Sequence, residues 1–113
     1  MVPGFAQTPA PPYYAVIFTS TRTQGDHGYG AMADRMMELA LARPGCLGAE
    51  SARGDDGLGI TVSYWRDEAA IIAWKAEAQH LVAQRLGRER WYEHYELRVC
   101  KVERAYSGPE GRG

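Results

Sequence analysis

Three tryptophans, two tyrosines, two arginines and a histidine stand out as side chains able to hold or deprotonate a small organic molecule. His80 is the one proton acceptor in a helical run: a neutral imidazole takes a proton near neutral pH, or ligates a metal through one ring nitrogen. It follows Trp74 by six residues, which sets the two about 120° from a shared face on a continuous helix. A break near Lys75–Gln79 would bring both to one cavity. The competing reading is a histidine on the surface or packed between elements. Trp65, Trp74 and Trp91, with Tyr64 and Tyr92, supply flat apolar walls that suit an aromatic ligand. Trp74 is also in register with Ile71 and Leu81 and serves equally as core. Arg22 and Arg98 can each hold an anionic or enolate oxygen, or close an ion pair with Glu96 or Glu103. Asp26 and His27 sit ahead of a helix and read as helix-entry residues. No metal-ligand spacing, phosphate loop, dinucleotide glycine pattern or Ser-His-Asp order is present. Cys46 and Cys100 fit neither a CxxC nor a zinc pattern and read as two small buried hydrophobes.

Those residues need a scaffold, and the chain is the right length for one domain. It has 113 residues, 45% hydrophobic and 24% charged, with a net charge of −1. That composition is globular. The near-zero charge offers no field to draw the chain to nucleic acid or acidic lipid. No apolar run reaches the roughly 18 residues of a membrane span, and the first residues lack the pattern of a secretory signal. The expectation is a soluble cytoplasmic protein that binds neither nucleic acid nor membrane.

Residues 1–12 hold four of the six prolines and read as a flexible arm. Residues 107–113 read as a flexible tail, leaving a domain over 13–106. YYAVIFTSTR at 13–22 is aromatic and β-branched, a strand. Tyr29, Met32, Ala33, Met36, Leu39 and Ala40 recur at steps of three and four and make one face of a helix. Pro44-Gly45 ends it. Residues 46–53 and 59–65 are strands joined by GDDGLG, a hairpin signal. Asp67 is the cap of a second helix over about 67–86. The last strand is predicted over 95–106. The order β-α-β-β-α-β is the split βαβ pattern of a ferredoxin-like α+β fold, with an antiparallel sheet and both helices on one face.

Alternation along the strands predicts more than a fold. Val16 and Phe18 oppose Ala15 and Ile17; Ile60, Val62 and Tyr64 oppose Thr61, Ser63 and Trp65; Leu97 and Val99 oppose Cys100 and Val102. Two helices cover one sheet face only. A second copy of the sheet is the simplest cover for the other, so a homodimer is expected.

The strand end SYW, the helical run EAAIIAWKAEAQHLVAQ and the closing YELRVCKVER, in this order of elements, resemble the antibiotic biosynthesis monooxygenase (ABM) domain. The resemblance spans about 13–106. It implies a dimeric α+β barrel, in which two sheets pack face to face, with a ligand cavity between sheet and helices of each subunit. It implies a cofactor-independent monooxygenase, with no bound metal or flavin, acting on a small aromatic substrate. His80 would be the catalytic base, and Tyr64, Trp65, Trp74, Arg22 and Trp91 would bind substrate. Relatives that oxidise polycyclic aromatics or degrade haem commonly use an asparagine in the first strand, and this chain contains none. The position matching the haem ligand of the degraders is Gln84. The alternative is therefore a dimeric barrel that binds a small ligand without transforming it, with haem binding through His80 as a third reading.

Overall fold

The computed structural model describes residues 4–23, 25, 29–86 and 92–109; of residues 29 and 80–86 it describes the backbone alone. The order is β1 (Tyr13–Arg22), α1 (Tyr29–Leu41), β2 (Cys46–Arg53), β3 (Leu58–Trp65), α2 (Glu68–Leu86) and β4 (Tyr92–Val102). The four strands form one sheet in the order β2-β3-β1-β4, and every neighbouring pair is antiparallel. This is the ferredoxin-like topology expected from the pattern.

The last strand and the second helix differ from expectation, each for a local reason. β4 begins at Tyr92 and ends at Val102, because β1 supplies partners only from Arg22, opposite Tyr92, to Tyr13, opposite Val102. Beyond Val102 an edge strand has nothing to bond. α2 runs unbroken through Lys75–Gln79. That stretch is built of strong helix formers, so no local cause for a break exists. The cap holds as read: the Asp67 carboxylate accepts from the Ala70 amide at 2.8 Å. That bond holds the Asp67 carboxyl below its ordinary pKa.

The turn into β2 depends on Gly45. Its φ of +88° suits glycine, and a Cβ there would lie 2.7 Å from the Cβ of Ala70 at the start of α2. Its carbonyl accepts from the Arg66 amide at 2.8 Å, locking this turn to the end of β3. Arg43, just ahead, pairs with Glu77 of α2 at 3.0 Å. The turn thus fixes α2 against β3.

The core is small. Trp65 is fully buried, joined by Met32 and Ala40 of α1 and Ile71 of α2. α1 lies on β2 and α2 on β3. On the sheet's other face the segment before β1 is tied down rather than free. The Ala6 amide donates to Glu50 at 2.9 Å, and Thr8 Oγ1 shares a hydrogen bond with the Tyr13 hydroxyl at 3.0 Å. Gly48, beside a register shift in β2, admits this segment: a Cβ there would come within 3.0 Å of Ala6. The two cysteines are far apart in character. Cys46 is half-buried and Cys100 exposed, so the reading of both as buried fails for the second. Burial pushes the Cys46 thiol up, against a weak bond to the Gly48 carbonyl.

Candidate functional site

Strand alternation and register divide the candidate residues between two faces. Residues directly opposite across an antiparallel pair point the same way. Trp65 stacks on Trp74 of α2 with ring centroids 6.3 Å apart, which marks its face as the helix side. Tyr14, Val16, Phe18 and Ser20 of β1 share that face, as do Thr61 and Ser63 of β3 and Tyr95, Leu97 and Val99 of β4. The Trp65 indole donates to Ser63 Oγ at 2.8 Å, which satisfies its buried N–H.

Toward the β4 side the helix face becomes aromatic and open. Phe18 meets Tyr92 edge-on at 5.2 Å and Tyr95 at 5.4 Å, and the two tyrosines lie 6.1 Å apart. Tyr95 is 58% exposed, and Leu97 and Val99 beside it are exposed as well. Offset and edge-on rings at these spacings leave π faces able to receive a flat ligand. Sequence reasoning passed over Phe18 and Tyr95. The signal was available, since both alternate in phase with the tryptophan face, but only the strand pairing shows that they meet.

At the hairpin end this face carries a polar group. Ser20 is buried, and Arg53 donates to its hydroxyl at 2.8 Å and to its carbonyl at 3.3 Å. The guanidinium also bonds the Gly57 carbonyl. It reaches Ser20 across Gly59, where a Cβ would sit 2.5 Å from Arg53 Cζ. This corner orders the end of the hairpin.

The structure brings some of the predicted site residues together and separates others. Trp65 and Trp74 are in contact. Tyr64 points to the opposite face, where its hydroxyl donates to Glu50 at 2.6 Å and its ring meets Tyr13 edge-on at 5.9 Å. Burial, and then the Glu50 carboxylate, push its pKa up to about 12. Arg22 stands at the far end of β1, eight residues beyond Tyr14, the partner of Trp65. That is about 26 Å along the strand. Its guanidinium donates to the Gly25 carbonyl at 3.0 Å. Arg98 lies on the face away from the helices, opposite Ile17. His80 is in α2, but its side chain is outside the described residues, as is Trp91 altogether. Among the described residues no group of three histidine, cysteine or acidic side chains can hold a metal ion, and no helix is long and apolar enough to cross a membrane.

A sheet of this order with two helices on one face, carrying an aromatic floor, defines a ferredoxin-like α+β domain with a candidate ligand surface. The chain belongs to the antibiotic biosynthesis monooxygenase family, whose pattern it matches over residues 12–86. It is 51% identical over 104 residues to the uncharacterised protein YqjZ of Bacillus subtilis, covering 92% of this chain and 91% of that one. It is 35% identical over 63 residues to a jasmonate monooxygenase of Pyricularia oryzae; the match covers 56% of this chain but only 24% of that longer protein. Among solved structures, a Shewanella oneidensis protein superposes with a TM-score of 0.67 at 12% identity, covering 83% of this chain and 94% of its own. A Pseudomonas aeruginosa protein does so with a TM-score of 0.64 at 19% identity, covering 86% and 98%. At those identities the likeness is one of fold.

Proposed function

We propose that this protein is a cofactor-independent ABM-type monooxygenase of the cytoplasm, a homodimer that oxidises a small aromatic substrate held against the helix side of its sheet. The observation that carries the reading is the Phe18–Tyr92–Tyr95 cluster, open to solvent on the same face as the Trp65–Trp74 stack. The family supplies the oxygenase class. The aromatic floor is what supports an aromatic substrate class.

The chemistry balances without a metal or flavin. His80 takes a proton from an activated CH2 flanked by aromatic or carbonyl groups. The resulting carbanion gives an electron to O2, the two radicals combine to a peroxide anion, and protonated His80 returns its proton to give the hydroperoxide. Loss of water then leaves a ketone, so that CH2 and O2 become C=O and H2O. Trp74 walls the inner end of the floor, backed by the fully buried Trp65, which presents no surface to a ligand. Arg22, opposite Tyr92, flanks its outer end; Trp91, outside the described residues, is assigned to substrate on the family resemblance alone. Tyr64, on the other face, does not reach this floor; its bond to Glu50 ties the hairpin to the segment before β1.

The test is oxygen uptake with anthrone-like and quinol substrates. One O2 is consumed per ketone formed, and His80→Ala lowers kcat by roughly 100-fold or more. Inert substrates across that panel overturn the reading. The absence of asparagine from the chain favours one alternative, a dimer that binds such ligands without turning them over. That alternative predicts a ligand-dependent rise in melting temperature with no substrate loss. A hemin titration whose Soret band is the same in wild type and His80→Ala eliminates haem binding through His80.

A further inference from the structure

Arg53, Gly59, Ser20 and Tyr95 stand directly opposite one another across β2, β3, β1 and β4, and so form one row across the sheet. Alternation puts this row on the helix face, next to the row that holds Phe18 and Leu97. Gly59 leaves its place in the row empty, and the guanidinium fills it: a Cβ at Gly59 would lie 2.5 Å from Arg53 Cζ. From there Arg53 donates to the Ser20 hydroxyl at 2.8 Å, to the Ser20 carbonyl at 3.3 Å and to the Gly57 carbonyl. An arginine at an exposed strand edge ordinarily samples many rotamers, and these bonds fix this one in place. All three acceptors are neutral oxygens, so they hold the cation without cancelling its charge.

The far end of the same row is the aromatic floor. Tyr95 stands two strand spacings from Gly59, about 10 Å away, and its ring lies 5.4 Å from that of Phe18. Ser20, the residue between Gly59 and Tyr95 in the row, is small and buried. A flat ring system lying on Phe18 and Tyr95 therefore reaches Arg53 with a substituent that projects over Ser20.

We infer that Arg53 holds a carboxylate on the substrate, so that the floor selects aromatic acids over neutral aromatics of the same size. The inference rests on the aromatic floor proposed above and names the polar half of its ligand. A planar guanidinium matches a carboxylate in shape and in charge, and charge-assisted hydrogen bonds are the strong ones. Arg53 is then a specificity-determining residue. Ser20 is a positioning residue, which acts by pinning the guanidinium. The carboxylate serves as a handle that orients the rings and takes no part in the reaction with O2. Arg98 cannot fill this role from the opposite face, and Arg22 lies two residues farther out along β1 than Ser20.

Calorimetric titration of the full chain with 2-naphthoate and 2-naphthamide tests the assignment, since the two share a ring system and differ in charge near neutral pH. Wild type binds the acid at least about tenfold more tightly than the amide. Arg53→Gln brings the acid down to the affinity of the amide and leaves the amide within about twofold of its wild-type value. Arg53→Lys keeps part of the preference, as a point charge without the planar fork. Ser20→Ala unpins the guanidinium and reduces the preference without abolishing it. Phe18→Ala weakens both ligands alike. A purely structural Arg53 would weaken both ligands by one factor in Arg53→Gln, so the ratio of acid to amide separates the two roles, and circular dichroism checks that each variant folds. Equal binding of both ligands by wild type, or a ratio that survives Arg53→Gln, overturns the inference and leaves the floor standing. A ratio lost in Arg22→Gln and kept in Arg53→Gln moves the carboxylate to Arg22 and overturns it too. If neither ligand binds, the floor and the inference fall together.

Discussion

The two halves of the helix face are built on opposite principles. Nearer the helices, β2 and β3 present Ala49 and Ser63, small half-buried side chains, and one large buried ring, Trp65. On β1 and β4 the side chains are large and apolar, yet Tyr95, Leu97 and Val99 are exposed. Among the described residues, the largest side chains on the open half are exposed, while the one large ring on the other half is buried. Stability is concentrated on the β2–β3 side, while the β1–β4 side keeps surface for a ligand.

That contrast can be broken by paired truncations. Trp65→Ala empties the centre of the closed half and should cost about 3–5 kcal/mol in denaturant unfolding. Leu97→Ala on the open half should cost under ~1 kcal/mol in the monomer. Equal losses at the two sites would remove the distinction. Between them in size lies Gly45→Ala. It forces a left-handed backbone and a clash with Ala70, and should cost about 2–3 kcal/mol. Its effect should also appear as loss of protection in the first turn of α2 by hydrogen exchange, since Gly45 is the point where that turn is held.

The smallest effect sharpens the comparison with the far face. The Tyr64 hydroxyl is held protonated by burial and Glu50, with its pKa pushed up to about 12. A group whose folded pKa is raised adds stability that is fully present below its unfolded value, near 10, and is lost as pH rises through the folded one. Tyrosinate absorbance should therefore show one tyrosine ionising late, near pH 12. Tyr64→Phe should remove that late step and flatten the stability profile between about pH 10 and 12. A late step that survives the substitution belongs to another tyrosine.

Much of this arrangement was written in local patterns. The period-two strands, the Asp67 cap and the Pro44-Gly45 stop each have a cause within a few residues, and the elements follow them. Tyr64 and Trp65, adjacent in a strand, were bound to part company once the strand formed. What local pattern does not contain is which strand lies beside which residue. The end of β4 was set by the length of β1, the meeting of Phe18 with Tyr95 by their register, and the distance of Arg22 from Trp65 by the length of the strand between them. Position along a strand is a property of its partners, so a site assembled from residue types alone gathered side chains from two faces and two ends of one sheet.

The single carboxylate of Glu50 bonds both the Ala6 amide and the Tyr64 hydroxyl. The beginning of the chain is therefore wired into the middle of the hairpin. Trimming the chain through Thr8, whether by a protease or by design, would strip a hydrogen-bond partner from Tyr13 and leave Glu50 with one fewer donor. The leading residues thus act as a removable staple, and their loss would be felt first by the sheet face turned away from the helices.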